Sequence, residues 1–308
     1  MNNLLKDLHF KKTVLCDAEQ IYNIFKSTKI AKKDTEEHKE IRKKVLGEVL
    51  TPFSLIYDML STIPYEVFQN KNLRWLDPVV GDGRFVIVLY FILMRTLPSN
   101  GEFQCLKSKQ QHIFKNIIYM IDININNIDK IKQIISLINP ELTGNCLCYD
   151  FLCINSNTVY KISEQNFDVI MMNPPYNLNG IKSNGQKNVW TFFVKHAFEL
   201  LDISGYLLAI HPSSWRINNY KPRGTKLNIH ELYCNRRILN VSMFTIIQTV
   251  DLMNVQIGVD YILVQNTTTG ITGGDEYREQ KTLIEDIYGV QQKTIVRNDM
   301  IIPHFGFS

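Results

Sequence analysis

"LRWLDPVVGDGRFVIVLYFILM", residues 73–94, runs from a short apolar stretch through a glycine-bearing turn into a longer apolar stretch. The first part has the length of a strand and ends at Asp77, after which Gly81 and Gly83 let the backbone turn sharply and come close to a ligand. Phe85 then opens about ten apolar residues, half of the ~20 that a bilayer-crossing helix needs, so a buried helix is expected. Strand, glycine turn and buried helix in that order form the first unit of a parallel sheet covered on both faces.

The alternation continues downstream. Further strands are expected at "IIYMIDI" (117–123), "NCLCYDFL" (145–152), "FDVIMMN" (167–173), "YLLAIHP" (206–212), "LNVSMF" (239–244) and "VDYILVQ" (259–265). Helices fall between them, one over 127–138 with Ile128, Ile131, Ile135 and Ile138 at helical spacing, another over 189–201. Upstream, in "GEVLTPFSLIYDML" (47–60), Thr51 is placed to cap a helix whose first turn holds Pro52 and whose inner face carries Leu55, Ile56, Met59 and Leu60. The last two strands are not separated by a long helix, which makes the final one antiparallel. The expected fold is therefore α/β: a doubly wound sheet of seven strands, the last antiparallel, preceded by an N-terminal helical segment. Three regions follow: 1–46, of which 26–44 is lysine- and glutamate-rich like a solvated helix; 47–266, the sheet domain; and 267–308, a C-terminal extension.

With 308 residues, 45% of them hydrophobic, the chain can bury one large core. A net charge of +4 is compatible with a polyanionic partner without identifying one. The N-terminal "MNNLLKDLHFKK" scatters charges and holds no sustained hydrophobic block, so an intracellular protein with no membrane association is expected. Of six cysteines, the cluster Cys146, Cys148 and Cys153 has alternate members on one face of an expected strand rather than zinc-ligand spacing, and reduced thiols with no bound metal are expected.

Ligands of a doubly wound sheet bind outside the carboxyl ends of its strands. The first loop, Asp77, Pro78, Gly81, Gly83 and Phe85, lacks the third glycine of the dinucleotide fingerprint, which disfavours a nicotinamide cofactor. Asp122, followed by Ile123, could accept from both hydroxyls of a ribose or simply cap the helix that starts near Asn124. Asp150 could accept from the exocyclic amine of an adenine while Phe151 covers the ring, or the two could be a turn residue and a core residue. Together these strand ends describe a pocket for an adenosine. The fourth strand delivers "NPPY", Asn173 to Tyr176, to the same edge. The exocyclic amine of a nucleobase is a poor nucleophile because its lone pair is delocalised. Two acceptors aimed at its hydrogens would favour the pyramidal form, and the side-chain oxygen of Asn173 and the carbonyl oxygen of Pro174 can supply them. Pro175 stiffens the bend, and the ring of Tyr176 is suited to stacking on a base swung out of a duplex. The plainer reading is a strand followed by a Pro-Pro turn.

"NPPY" (173–176), "DPVVGDGRF" (77–85), "TPFSL" (51–55) and "GYLLAIHPSSW" (205–215) together resemble the gamma-class adenine-specific DNA methyltransferases of restriction-modification systems, over residues 47–265. The resemblance implies a Rossmann-like methyltransferase sheet, S-adenosylmethionine as cofactor, double-stranded DNA as substrate and adenine N6 as acceptor. It also implies that Thr51, Pro52 and Phe53 touch the methionine part of the cofactor and that Asn173 borders it. Val79 and Val80 stand where such enzymes commonly carry a small residue or cysteine. The aromatic expected before the final strand has no clear counterpart in "TVDLMNVQIG" (249–258), with Phe244 the candidate. Only about forty residues follow Gln265, so sequence recognition is expected from the N-terminal helices, from "RINNYKPRGTK" (216–226), from a second subunit in a homo- or hetero-oligomer, or from a region outside this chain. Lys182, Lys187, Arg216, Lys221, Arg223 and Lys226 are the candidate phosphate contacts. Similar Asn-Pro-Pro-Tyr sequences occur in enzymes that methylate a glutamine of translation release factors. The same residues are also compatible with an RNA methyltransferase and with a non-catalytic cofactor-binding subunit.

Overall fold

A computed structural model of the protein describes residues 4–28, 49–98, 101, 103, 105–155, 165–176, 188–217, 227–267, 279–286 and 289–296. The expected strands are present as β1 (Trp75–Asp77), β2 (Ile118–Asp122), β3 (Asn145–Cys148), β4 (Phe167–Met172), β5 (Leu201–Pro212), β6 (Arg237–Phe244) and β7 (Val259–Gln265). Strands β3, β2, β1, β4 and β5 lie side by side in parallel, and β7 runs antiparallel between β5 and β6, as expected of the last strand. Two further strands, β8 (Glu279–Asp286) beside β6 and β9 (Gly289–Val296) beside β8, widen the sheet to nine within the region read only as an extension.

Alternate residues of each strand enter different cores, because successive side chains of a strand point to opposite faces. Val169, Met171, Leu208, Ile210, Tyr261 and Leu263 face one layer. Their neighbours Ile170, Met172, Leu207, Ala209, Ile262 and Val264 face the other. The first layer is closed by α1 (Leu8–Ser27), α2 (Phe53–Leu60), α3 (Arg84–Thr96) and α5 (Ile125–Ile138), with α4 (Leu106–His112) in the connection ahead of β2. In α1, Val14, Ala18, Tyr22 and Phe25 recur at helical spacing and are buried in this core, so the described part of the N-terminal segment is built into the sheet domain. The second layer is closed by α6 (Trp190–Leu200) and α7 (Ile229–Cys234). A short α8 (Ile246–Met253) links β6 to β7, capped by Thr245, whose hydroxyl accepts from the Gln248 amide. No described helix is long and apolar enough to cross a membrane. Strand β5 begins earlier than its apolar run. Ser204 has φ 67°, and a Cβ on Gly205 would sit 2.8 Å from the Asp168 carbonyl oxygen, so only glycine lets the chain rejoin β4 there.

Near the end of β5, His211 is fully buried between the rings of Trp190 (4.5 Å) and Tyr233 (5.7 Å). Its Nδ1 lies 3.1 Å from the Pro212 carbonyl, which can only accept, so Nδ1 carries the proton and Nε2 accepts from the Tyr233 hydroxyl at 2.7 Å. Burial pushes the imidazole down from 6.5 to about 4. An unfolded chain takes up this proton below 6.5 and the folded chain refuses it down to about 4, so the contribution is complete above 6.5 and is lost as the pH falls through that window. Urea unfolding at stepped pH should show stability falling by up to ~1.4 kcal/mol per pH unit on account of this one group. His211→Gln, which cannot titrate, should show a flatter acid limb; an unchanged limb would mean that the imidazole takes up its proton as readily in the fold as in the unfolded chain.

Candidate active site

The strand order reverses between β1 and β4, which are paired in parallel through Trp75 with Val169 and Leu76 with Ile170. Neighbouring connections leave the sheet there on opposite sides and open a crevice at the carboxyl ends. The loop after Asp77 and the turn at Asn173 border that crevice, a cavity of about 260 Å³. Pro78, Gly81 and Phe85 line it from the first loop, Asp122 and Ile123 from the end of β2, Asp150 and Phe151 from the end of β3, and Asn173 and Pro175 from the end of β4. Four chain segments far apart in sequence are thus brought together as expected.

Other candidates are placed differently. Asp77 is 1% exposed and does not line the cavity; its Oδ1 accepts from the Val79 amide at 3.2 Å inside the loop. Burial, with Asp122 and Asp82 nearby, pushes its carboxyl up to about 8, against the Val79 hydrogen bond. Gly83 also points away from the cavity. It has φ +85°, and a Cβ on it would lie 2.0 Å from Ile131 Cδ1, so this glycine permits close packing of the loop on α5 rather than close approach to a ligand. Gly81 keeps its place against the ligand space, with φ 54°.

Asp122 lines the cavity, yet its carboxylate already serves the protein. Oδ2 accepts from the Gly81 amide (2.9 Å) and from Asn127 Nδ2 (3.2 Å), and Oδ1 accepts from the Asn124 amide (2.8 Å). Asn124 itself caps α5. Asp122 therefore ties the glycine loop to the start of α5, and burial raises its pKa despite these three donors. Asp150 caps a short 3-10 turn, its Oδ1 accepting from the Leu152 amide at 3.0 Å. The Phe151 ring is held against Phe193 at 5.5 Å, stacked, and against His196 at 4.9 Å.

At Asn173 the side-chain amide is oriented by two acceptors. Nδ2 donates to the Val49 carbonyl at 2.8 Å and to Thr51 Oγ1 at 2.9 Å, while Oδ1 is buried without a protein partner. These contacts take both amide hydrogens and leave the oxygen as the unpartnered polar atom of a side chain that lines the cavity. Thr51 was expected to cap α2, but it makes no such bond. Pro52 holds the cap position and the Thr51 hydroxyl is engaged by Asn173. Thr51 lines the cavity; Pro52 and Phe53 do not. The Phe53 ring turns outward onto Tyr22 (5.3 Å, edge-on) and under the Arg84 guanidinium (5.4 Å).

The expectation that Tyr176 offers its face to a base needs correction. Its ring is 5% exposed, belongs to the core under β4, β5 and β7, and neither it nor Pro174 lines the cavity. Burial raises the phenol, whose hydroxyl has no protein partner. Phe244 ends β6 half-buried against Tyr261 at 5.9 Å. Arg216 is corrected likewise: it is 8% exposed, and its Nε pairs with Asp260 at 2.9 Å, so it is not available to a phosphate. Lys182, Lys187, Lys221, Arg223 and Lys226, and residues 29–48, lie outside the described residues. Sequence reasoning missed Val49, Leu50, Arg84, Asn127, Val189 and Phe193 as lining residues. Phe193 had a signal, the apolar period of α6; Arg84 and Asn127 stand in the first turns of α3 and α5, Val189 caps α6, and Val49 and Leu50 precede α2 in a loop, positions whose place at the cavity no periodicity reports.

The model of the Eco57I restriction-modification methylase family matches residues 19–245. No curated protein matches the chain. Among solved structures, the type ISP restriction-modification enzyme LlaBIII bound to DNA superimposes with a TM-score of 0.58 at 14% identity, over 88% of this chain and 22% of that one. The DrdV–DNA complex gives 0.57 at 12% identity, over 84% and 31%. The M protein of the type I restriction enzyme EcoKI gives 0.51 at 13% identity, over 77% and 48%. Identities this low show a shared fold. The chain spans between about a fifth and a half of the length of these three structures.

Proposed function

The chain belongs to the Eco57I restriction-modification methylase family, and from that premise we propose that it transfers a methyl group from S-adenosylmethionine to N6 of an adenine swung out of double-stranded DNA. The observation that carries this reading is the Asn173 amide, which lines the cavity with both hydrogens committed and its oxygen buried and unpartnered.

The residues present fit the cofactor. An adenosine needs an apolar slot with acceptors at its polar ends, and the cavity is walled by Phe85, Phe151 and Phe193 with Asp122 and Asp150 at successive strand ends. Asp150 would meet the adenine and Phe151 its face. Asp122 would meet the ribose with the acceptor capacity that its three protein donors leave. The loop at Pro78 and Gly81 and the segment at Thr51 would border the methionine part. Bound there, S-adenosylmethionine supplies a methyl carbon made electrophilic by its sulfonium. The protein's own part is played at the acceptor. Asn173 Oδ1 would accept a hydrogen bond from the target amine, drawing its lone pair out of conjugation and toward the methyl carbon. It would stabilise the positive charge that grows on nitrogen as the N–C bond forms and the sulfonium C–S bond breaks, the amine then losing one proton to solvent. The Pro174 carbonyl, expected as the second acceptor, does not line this cavity. Because Nδ2 is anchored, the oxygen is set before the substrate arrives, so little reorganisation accompanies the reaction. Tyr176, buried beneath the turn, would support it from below.

The test is methyl transfer from labelled S-adenosylmethionine to unmethylated duplex DNA, to RNA and to bulk protein in parallel. Label is expected in DNA alone. Label in RNA or in protein glutamine would move the function to those substrates, and cofactor binding with no transfer to any acceptor would mark a non-catalytic subunit.

A further inference from the structure

We propose that Thr51 is a positioning residue for the transfer, holding the Asn173 amide so that Oδ1 rather than Nδ2 faces the cavity, and that Arg84 keeps Thr51 in place to do so. The inference rests on the function proposed above and assigns a role to a segment otherwise read as a cofactor contact.

The oxygen and nitrogen of an asparagine amide occupy nearly the same space, and the terminal torsion of the side chain is soft, so shape alone does not choose which one points at the ligand. Only partners choose. The Val49 carbonyl can accept and never donate; it sits 2.8 Å from Nδ2, and a flipped amide would put oxygen against oxygen there. Thr51 Oγ1 takes the second hydrogen at 2.9 Å. Thr51 is 4% exposed, so without its hydroxyl the second N–H would be buried with no acceptor and would be satisfied by swinging the amide toward the cavity, which displaces the oxygen.

The threonine is itself held from behind. Its carbonyl accepts from Arg84 Nη1 at 3.3 Å, and the Arg84 guanidinium lies over the Phe53 ring at 5.4 Å and the Tyr22 ring at 5.0 Å. Arg84 Nε pairs with Asp82 at 3.0 Å, and the Tyr22 hydroxyl donates to the same carboxylate. Residues 49–53 are thereby fastened to the first turn of α3 and, through Tyr22, to α1. The oxygen proposed to receive the target amine is thus set by residues more than a hundred positions earlier in the chain.

Thr51→Val keeps the shape and removes the acceptor; Thr51→Ser keeps the acceptor. In the full chain with duplex DNA, Thr51→Val should lower kcat by about 10–100-fold, the scale on which a small misplacement of a catalytic group acts, while the Kd for S-adenosylmethionine by calorimetry stays within about threefold. Thr51→Ser should restore kcat to within about threefold of wild type, and the thermal midpoints of both variants should lie close to wild type; should Thr51→Val fail to fold, Thr51→Ala takes its place with the same expectation. Unchanged kcat in Thr51→Val overturns the proposal. So does a loss confined to cofactor Kd, which would make Thr51 a cofactor contact only. A wild-type chain that methylates DNA while Thr51→Val is equally fast sinks the positioning role and spares the function; a wild-type chain that transfers no methyl to DNA sinks both.

Discussion

Replacing Asn173 with Ala should cut methyl transfer by roughly 10²–10³-fold, the usual cost of removing one preorganised group aimed at developing charge, while S-adenosylmethionine affinity stays within a few-fold of wild type. The asymmetry follows from where the side chain reaches. Its amide hydrogens are taken by Val49 and Thr51, and its oxygen is buried without a protein partner. The part of the cavity proposed to take the adenosine is lined by the ends of β2 and β3, which the substitution leaves untouched. The signature is therefore a fall in kcat without a matching rise in cofactor Kd. Equal activity in Asn173→Ala would remove the residue from the mechanism. Equal losses in both parameters would make it a cofactor ligand.

The second large effect concerns stability. Asp260 on β7 is fully buried, with Oδ2 accepting from Trp215 Nε1 at 2.8 Å and paired with Arg216 Nε at 2.9 Å. Burial pushes its carboxyl up to about 6, with Arg216 and Trp215 pulling the other way. Removing one member of such a pair costs about 3–5 kcal/mol, because the other charge keeps its desolvation and loses its counter-charge. Asp260→Ala should lose that much in urea unfolding, and adding Arg216→Met should recover part of it, since the cation is then gone as well. A loss under ~0.5 kcal/mol would mean that water reaches the pair. Trp215 and Arg216 form the turn that leaves β5, so the same ion pair anchors that turn to β7.

The sheet was legible because a strand buried on both faces must be apolar throughout. "VDYILVQ" appears as β7 with the expected limits, "FDVIMMN" appears as β4 less its final Asn173, and the helix of four regularly spaced isoleucines appears as α5. The location of the site was legible for a related reason. A doubly wound order puts the loops after β1 and β4 side by side, whatever their side chains. What stayed hidden depended on contacts between distant residues. Nothing local to "LTPF" says that its hydroxyl will meet an asparagine 122 residues later rather than cap α2. Arg216 reads as a surface cation until Asp260 is seen beside it. "YMID" reads as a ribose acceptor or a cap of the following helix, and neither reading shows that three protein donors converge on Asp122. Tyr176 follows two prolines in what reads as an exposed turn, but the turn lies over a core large enough to take in the ring. Strands β8 and β9, "EQKTLIED" and "GVQQKTIV", were missed because lysine and glutamine break up their apolar pattern.

The most direct measurement is nucleoside analysis of duplex DNA after incubation with the wild-type chain and methyl-labelled S-adenosylmethionine. All of the label is expected to elute as N6-methyldeoxyadenosine. Label in N4-methyldeoxycytidine or on a ring carbon, or none in DNA, would contradict an adenine amine held at the Asn173 oxygen.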